Sequence, residues 1–197
     1  MLRFNKQGKD AYPNWELRKL RNFLSIPDKI PIDQIDKNKL LTVKLHLKGV
    51  MKNDNTESLS ISGTTYYLRK KGQFIFGKQN LFNGAFGIIP DEYDDFLSSN
   101  DVPSLNINND KINPLYLLYY MGRRNYYIPL ESIAIGSGSK RIHETTLLNL
   151  EIAIPTLEEQ TSIVSTIYSI EKKFNLEVSV LQHLNMQKKY LLSNLFV

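Results

Sequence analysis

Three short clusters in this chain set cations beside amides: Lys78-Gln79-Asn80, Arg123-Arg124-Asn125 and Lys140-Arg141. Their chemistry suits a polyanion that carries hydrogen-bonding edges. Lys and Arg neutralise phosphates, Arg also forks onto guanine, and Asn and Gln match the donor–acceptor pair of adenine. Each cluster alone is an ordinary solvated surface, but three within one basic region weigh more. All three fall in polar stretches read as loops. We therefore expect Lys78, Gln79, Asn80, Arg123, Arg124, Lys140 and Arg141 to approach DNA, and a folded body must hold their loops.

Other motifs suggest reactions but lack parts. Asn113-Pro114-Leu115-Tyr116 resembles the Asn-Pro-Pro-aromatic signature with which amino-methyltransferases grip an exocyclic amine. Here the second proline is Leu115, and no Gly-rich cofactor loop lies between a strand and a helix. A helix start is the better reading, with Asn113 as cap and Pro114 at the first helical position. Gly136-Ser137-Gly138-Ser139-Lys140 has the composition of a phosphate cradle without the spacing of a nucleotide-binding loop. Pro90-Asp91 and Glu171-Lys172-Lys173 mimic parts of a nuclease carboxylate site, but the second reads as a solvated charge cluster on a helix. There is no cysteine, and His46, His143 and His183 are far apart in sequence. No catalytic constellation or metal site emerges.

The 197 residues allow one sizeable domain and an appendage. A 42% hydrophobic and 11% aromatic composition can fill a core. The net charge is +5, and its location matters more than its size. Residues 1–155 hold 21 Lys and Arg against 16 Asp and Glu, whereas residues 156–197 hold 4 of each. The basic excess belongs to the N-terminal part, where it favours a polyanionic partner. No apolar run approaches the ~20 residues of a membrane span, and the start lacks a signal-peptide pattern. The expectation is a cytoplasmic protein without membrane contact.

The elements that must position the clusters read as a mixed α+β domain over residues 1–155. Trp15 to Leu24 predicts a short strand entering a short helix, with Trp15 as a core anchor. Leu41 to Leu47 alternates as a half-buried strand. Thr64–Arg69 and Phe74–Gly77 are predicted to pair around the turn Lys70-Lys71-Gly72-Gln73. Ala85–Pro90 and Leu105–Ile107 give further strands, Leu115–Met121 a helix, and Leu148–Ile154 the last strand. Lys52–Ser60 is expected as a polar loop and Asp91–Asn100 as an acidic one.

Beyond Pro155 the pattern changes. Ile163, Ile167, Ile170, Phe174, Leu181, Leu184, Leu191 and Leu195 follow steps of three and four, with Glu177 and Lys188 as the only polar seam positions. Thr156 and Glu159 make a capping box at the start. Residues 156–197 are thus predicted to be one helix of roughly 57 Å, whose stripe needs a partner helix.

Together these landmarks resemble the DNA specificity subunits of type I restriction–modification systems. Leu2-Arg3-Phe4 and Trp15-Glu16-Leu17-Arg18-Lys19-Leu20 are similar to the opening of a target recognition domain. Gly72 to Gly77 resembles its mid-domain strand, Lys111 to Tyr120 its internal helix, and Gly136 to Ile142 its late Gly-rich loop. Leu150 to Gln160 resembles the junction into the conserved spacer helix and is the most specific of these. Family members usually carry two recognition domains and two spacer helices, whereas this sequence has one of each and looks like a half subunit.

The resemblance implies a non-catalytic targeting subunit with double-stranded DNA, methyltransferase subunits and an endonuclease/translocase subunit as partners. No cofactor is expected on this chain; S-adenosylmethionine would sit on the methyltransferase. The seam adds the expectation of a homodimer. Antiparallel helices would hold two recognition domains roughly 50–60 Å apart, over a bipartite, palindromic site. Two readings compete: a stand-alone DNA adenine methyltransferase, and a coiled-coil interaction module without DNA binding. A truncated or silent copy of a longer gene is a further alternative.

Overall fold

In the computed structural model, residues 12–32, 34–53 and 63–195 are described. The chain begins with β1 (Glu16–Lys19), a 3₁₀ turn at Leu20–Asn22 and β2 (Leu24–Ser25). A hairpin of β3 (Leu41–Val43) and β4 (Val50–Lys52) follows, then β5 (Tyr66–Arg69), β6 (Phe74–Phe76), β7 (Phe86–Ile88), β8 (Phe96–Ser99) and β9 (Ser104–Ile107). The helices are α1 (Pro114–Met121), α2 (Arg124–Tyr127), α3 (Glu144–Leu148) and α4 (Leu157–Asn194), with β10 (Glu151–Ile154) before the last. This is an α+β fold with a long C-terminal helix.

The centre is the antiparallel sheet β2-β9-β6-β7. Phe74, Ile75 and Phe76 of β6 are all fully buried, because both faces and both edges of that strand are covered. Phe74 meets Phe86 of β7 at 5.9 Å between ring centres. Burying side chains of this size is the main stabilising term of the body.

The structure repairs the expected pairing of Thr64–Arg69 with Phe74–Gly77. The strand β5 pairs instead with β8, from Tyr66↔Ser99 to Arg69↔Phe96. Both edges of β6 are taken by β7 and β9, so no edge is left for β5. The strand β8 lies within the stretch expected to be an acidic loop; Asp91, Glu92, Asp94 and Asp95 conceal a short run around the buried Leu97. The expected strand to Leu47 stops at Val43. His46 and Leu47 both take a φ of 60°, and their amides donate to Asn83 and Gly84 carbonyls at 2.9 Å. Tertiary partners thus hold two non-glycine residues in the left-handed region. Residues 148–154 split into the end of α3 and β10, while most of the loop expected at 52–60 lies outside the described residues.

The first and last strands of the body meet: β1 runs antiparallel to β10, from Glu16↔Ile154 to Lys19↔Glu151. The other edge of β10 is closed by tyrosine hydroxyls rather than by a strand. Tyr116 Oη donates to the Ala153 carbonyl at 2.6 Å, the Ala153 amide donates to Tyr120 Oη at 3.0 Å, and Tyr126 Oη donates to the Glu151 carbonyl at 2.8 Å. Residues 151 and 153 turn their polar groups to the same side, as strand geometry requires. Burial, with Tyr120 adding to it, pushes the phenols of Tyr116 and Tyr126 well above their ordinary range, so both remain donors.

From β10 the chain turns into α4 at Pro155. Thr156 Oγ1 accepts from the Glu159 amide at 3.3 Å, as the cap pattern predicts. Gln160, fully buried, accepts from the Asn113 amide at 2.7 Å and donates to the Pro155 carbonyl at 3.0 Å. Trp15 Nε1 donates to the Glu159 carboxylate at 3.0 Å. The start of α4 is therefore built into the body, and Ile163 and Val164 belong to its core. Ile170 and Phe174 are already 64% and 66% exposed, but Tyr119 Oη of α1 still donates to the Glu171 carboxylate at 2.6 Å, so the helix leaves the body after Glu171.

Candidate nucleic-acid interface

The three cationic clusters sit on loops and a short helix that the body brings near one another. The backbone of Lys78 is held on two sides: its amide donates to Asp101 O and its carbonyl accepts from the Ile142 amide, both at 2.9 Å. The segment 78–80 therefore abuts the loop 136–141. That loop is closed at its base by Ile135 and Arg141, which exchange backbone bonds of 2.9 and 2.8 Å. Gly136 has a φ of 136°, and a Cβ there would come within 2.5 Å of Ser139 O. Only glycine fits that corner. The short helix α2, which follows Arg123, packs on the turn Leu81–Asn83 and leads into the 3₁₀ segment Ile128–Ile133. Glu131 of this segment reaches Lys140 Nζ at 2.9 Å.

Individual side chains differ in what they offer. Arg123 is exposed; its guanidinium lies 3.7 Å from the Tyr120 ring centre and its Nε donates to Tyr120 O at 3.0 Å. A cation fixed over an aromatic face loses little freedom when it meets an anion. Arg124 and Asn125 are exposed beside it, whereas Gln79 and Asn80 are half-buried. Arg141 makes only long contacts to Asp101, 3.4 Å from Nε and 3.5 Å from a terminal nitrogen. Lys78 departs from the expectation. Its side chain is 4% exposed and its Nζ lies 3.1 Å from a Glu144 carboxylate oxygen.

Glu144 gathers more than Lys78. Lys29 Nζ lies 3.1 Å from its other oxygen and 5.8 Å from the Tyr67 ring centre. The guanidinium of Arg69 lies 5.4 Å from the same ring and is bound by Ser98, Ser104 and two carbonyls. Burial presses Arg69 down to about 10, partly offset by Glu144 and Tyr67, so it stays charged at neutral pH. Burial raises the Glu144 carboxyl, but its own backbone amide and the two lysines outweigh this and hold it below the usual carboxylate range. Lys29 and Lys78 thus meet Glu144, Arg141 meets Asp101, and Arg69 shares the Tyr67 ring with Lys29. Sequence reasoning missed Lys29 and Arg69. Their signals were weak: a lone lysine between Pro27 and Pro31, and the two-residue step from Tyr67 to Arg69.

Such an arrangement supplies cations, amides and aromatic supports, the equipment for binding a polyanion. Residues 14–186 match the family described as type I restriction modification DNA specificity domain. The chain belongs to this family. The matched region is accordingly a DNA specificity domain. Among curated proteins it is similar to the putative type I restriction enzyme MjaX specificity subunit of Methanocaldococcus jannaschii, 24% identical over 202 residues. That match covers 93% of this chain and 45% of the relative. Among solved structures the fold is similar to the HsdS subunit from Thermoanaerobacter tengcongensis, with a TM-score of 0.63 at 16% identity, covering 94% of this chain and 49% of that one. It is also similar to the type I restriction–modification S subunit from M. genitalium, with a TM-score of 0.57 at 14% identity, covering 99% and 49%. The specificity domain thus spans about half the length of the relatives it matches. Among its described residues, no helix is long and apolar enough to cross a membrane.

Proposed function

We propose that this specificity domain binds double-stranded DNA through the face bearing Gln79, Asn80, Arg123, Arg124, Lys140 and Arg141. It thereby directs methyltransferase and endonuclease/translocase subunits to their site. Residues 1–155 form the recognition unit, and residues 156–197 form the spacer helix that holds two such units apart. Two copies pair through the seam of α4, so the site is bipartite and symmetric. S-adenosylmethionine belongs to the methyltransferase partner. Lys78 is left out of the contact set because its charge is neutralised within the protein by Glu144.

One observation carries the reading: Arg123, exposed and stacked on Tyr120, is the cap residue of a helix that packs on the turn Leu81–Asn83, directly after Gln79 and Asn80. Pairing is supported separately by the seam, whose side chains from Ile170 to Leu195 are about half or more exposed. The test is duplex binding by the full chain with its methyltransferase partner, followed by fluorescence anisotropy across a salt series. A steep fall of affinity with salt is expected. Salt-independent binding, or none in the assembled complex, would leave the coiled-coil interaction module as the better reading.

A further inference from the structure

The structure assigns a register to the pairing of two α4 helices, and the inference rests on the pairing proposed above. Ile163, Ile170, Glu177, Leu184 and Leu191 occupy one core position of the heptad, d. Ile167, Phe174, Leu181, Lys188 and Leu195 occupy the other, a. In an antiparallel pair every a residue faces a d residue of the other helix. Registers that keep this rule differ from one another by whole heptads.

Two observations select the same register. The first is where the body ends. Ile163 packs against the core and Ile167 is half-buried, whereas Ile170, Phe174, Leu181, Leu184, Leu191 and Leu195 are all 48–69% exposed. Among the described residues the free seam therefore runs from Ile170 to Leu195. Laid antiparallel on itself end to end, it pairs Ile170 with Leu195 of the second copy, Phe174 with Leu191, and Leu181 with Leu184. The second observation is the pair of polar residues that interrupt the stripe. In this register Glu177 faces Lys188 of the second copy, and by symmetry Lys188 faces Glu177. Neither charge lies against an apolar side chain.

Both neighbouring registers break the charge pairing. A slip of one heptad toward the body sets Glu177 against Leu181 and Lys188 against Ile170. It also presses Leu191 and Leu195 onto Ile167 and Ile163, which the body already covers. A slip the other way sets Glu177 against Leu195 and Lys188 against Leu184. A desolvated charge without a partner is costly, so polar core positions fix register at some expense of affinity. With the twofold axis between Gln182 and His183, the two Ile167 positions stand about 46 Å apart along the rod. That separation would set the spacing between the two recognition units.

Charge reversal on the full chain tests the register, because Glu177 and Lys188 are exposed and remote from the core. Glu177→Lys alone sets Lys against Lys twice in the pair, and Lys188→Glu alone sets Glu against Glu twice. Each should weaken self-association by about tenfold or more in sedimentation equilibrium. An equimolar mixture of the two variants places Lys against Glu in both layers. It should recover association within about threefold of the wild-type chain, as should the double variant. A wild-type chain that pairs, with a mixture no better than either variant alone, would overturn the register and leave the pairing standing. A wild-type chain that stays monomeric at high micromolar concentration would overturn both.

Discussion

Lys78 Nζ and the Glu144 carboxylate stand 3.1 Å apart with 4% and 9% of their side chains exposed, joining the loop after β6 to the first residue of α3. Removing one member of a buried pair strands the other charge. Glu144→Gln should lower stability by about 3 kcal/mol at neutral pH, read as a shift of the urea midpoint. Replacing both, as Lys78→Met with Glu144→Leu, should recover most of that loss. The pH dependence has a definite sign. The Glu144 carboxyl lies below its ordinary value in the folded state. Its contribution is thus full above the unfolded carboxyl range and disappears as pH falls through the folded value. Wild type and Glu144→Gln should therefore converge in stability toward acid pH; a constant gap would mean that the charge is not the source.

The tyrosine-closed edge of β10 gives a graded prediction. Ala153 offers its carbonyl to Tyr116 and its amide to Tyr120, and Glu151 offers its carbonyl to Tyr126. Tyr116 is 3% exposed, so Tyr116→Phe strands a carbonyl where water does not reach and should cost about 1–2 kcal/mol. Tyr126 is only half-buried, so water can replace its hydroxyl more readily, and Tyr126→Phe should cost clearly less. Equal losses in denaturant unfolding would show that the hydroxyls do not act as a substitute strand edge.

What the sequence made legible follows from the range of the interactions involved. Asn113 with Pro114, and Thr156 at the start of α4, act within three residues, and the structure places both caps as their side-chain chemistry dictates. The 38-residue length of α4 follows from a heptad run that no Pro or Gly breaks. Strand partners were not legible, because β5 finds β8 across a stretch whose carboxylates look like loop. Nor was the interior place of Lys78, since nothing local distinguishes a lysine that meets a glutamate 66 residues later. Tyr116, Tyr120 and Tyr126 lie in and just after α1, but their common target in β10 depends on the fold.

The loop bearing Lys140 and Arg141 rests on one glycine. A Cβ at Gly136 would collide with the Ser139 carbonyl at 2.5 Å, and a φ of 136° strains any side chain. Gly136→Ala should open the corner without disturbing the core, because residues 136–140 are exposed. The expected readout is limited trypsin digestion at Lys140 and Arg141, several-fold faster than in wild type with an unchanged urea midpoint. Unaltered cleavage would mean that the corner relaxes at no cost.

Arg123 separates two ways in which a cation can serve DNA binding. As a charge alone it would be replaced by lysine with little loss. As a planar guanidinium stacked on Tyr120 at 3.7 Å and anchored through Nε to the Tyr120 carbonyl, it would not. Arg123→Ala should weaken duplex binding and reduce the slope of log affinity against log salt by about one. Arg123→Lys should keep most of that slope yet still lose affinity, because a flexible ammonium must be ordered on binding where the stacked guanidinium already is. Tyr120→Ala should then resemble Arg123→Lys in its slope, compared at a temperature where this variant, which also loses the hydroxyl at the Ala153 amide, is still folded. If both variants bind as the wild type does at every salt concentration, Arg123 lies off the DNA face. The contact set would then retreat to the loops at Gln79–Asn80 and Lys140–Arg141.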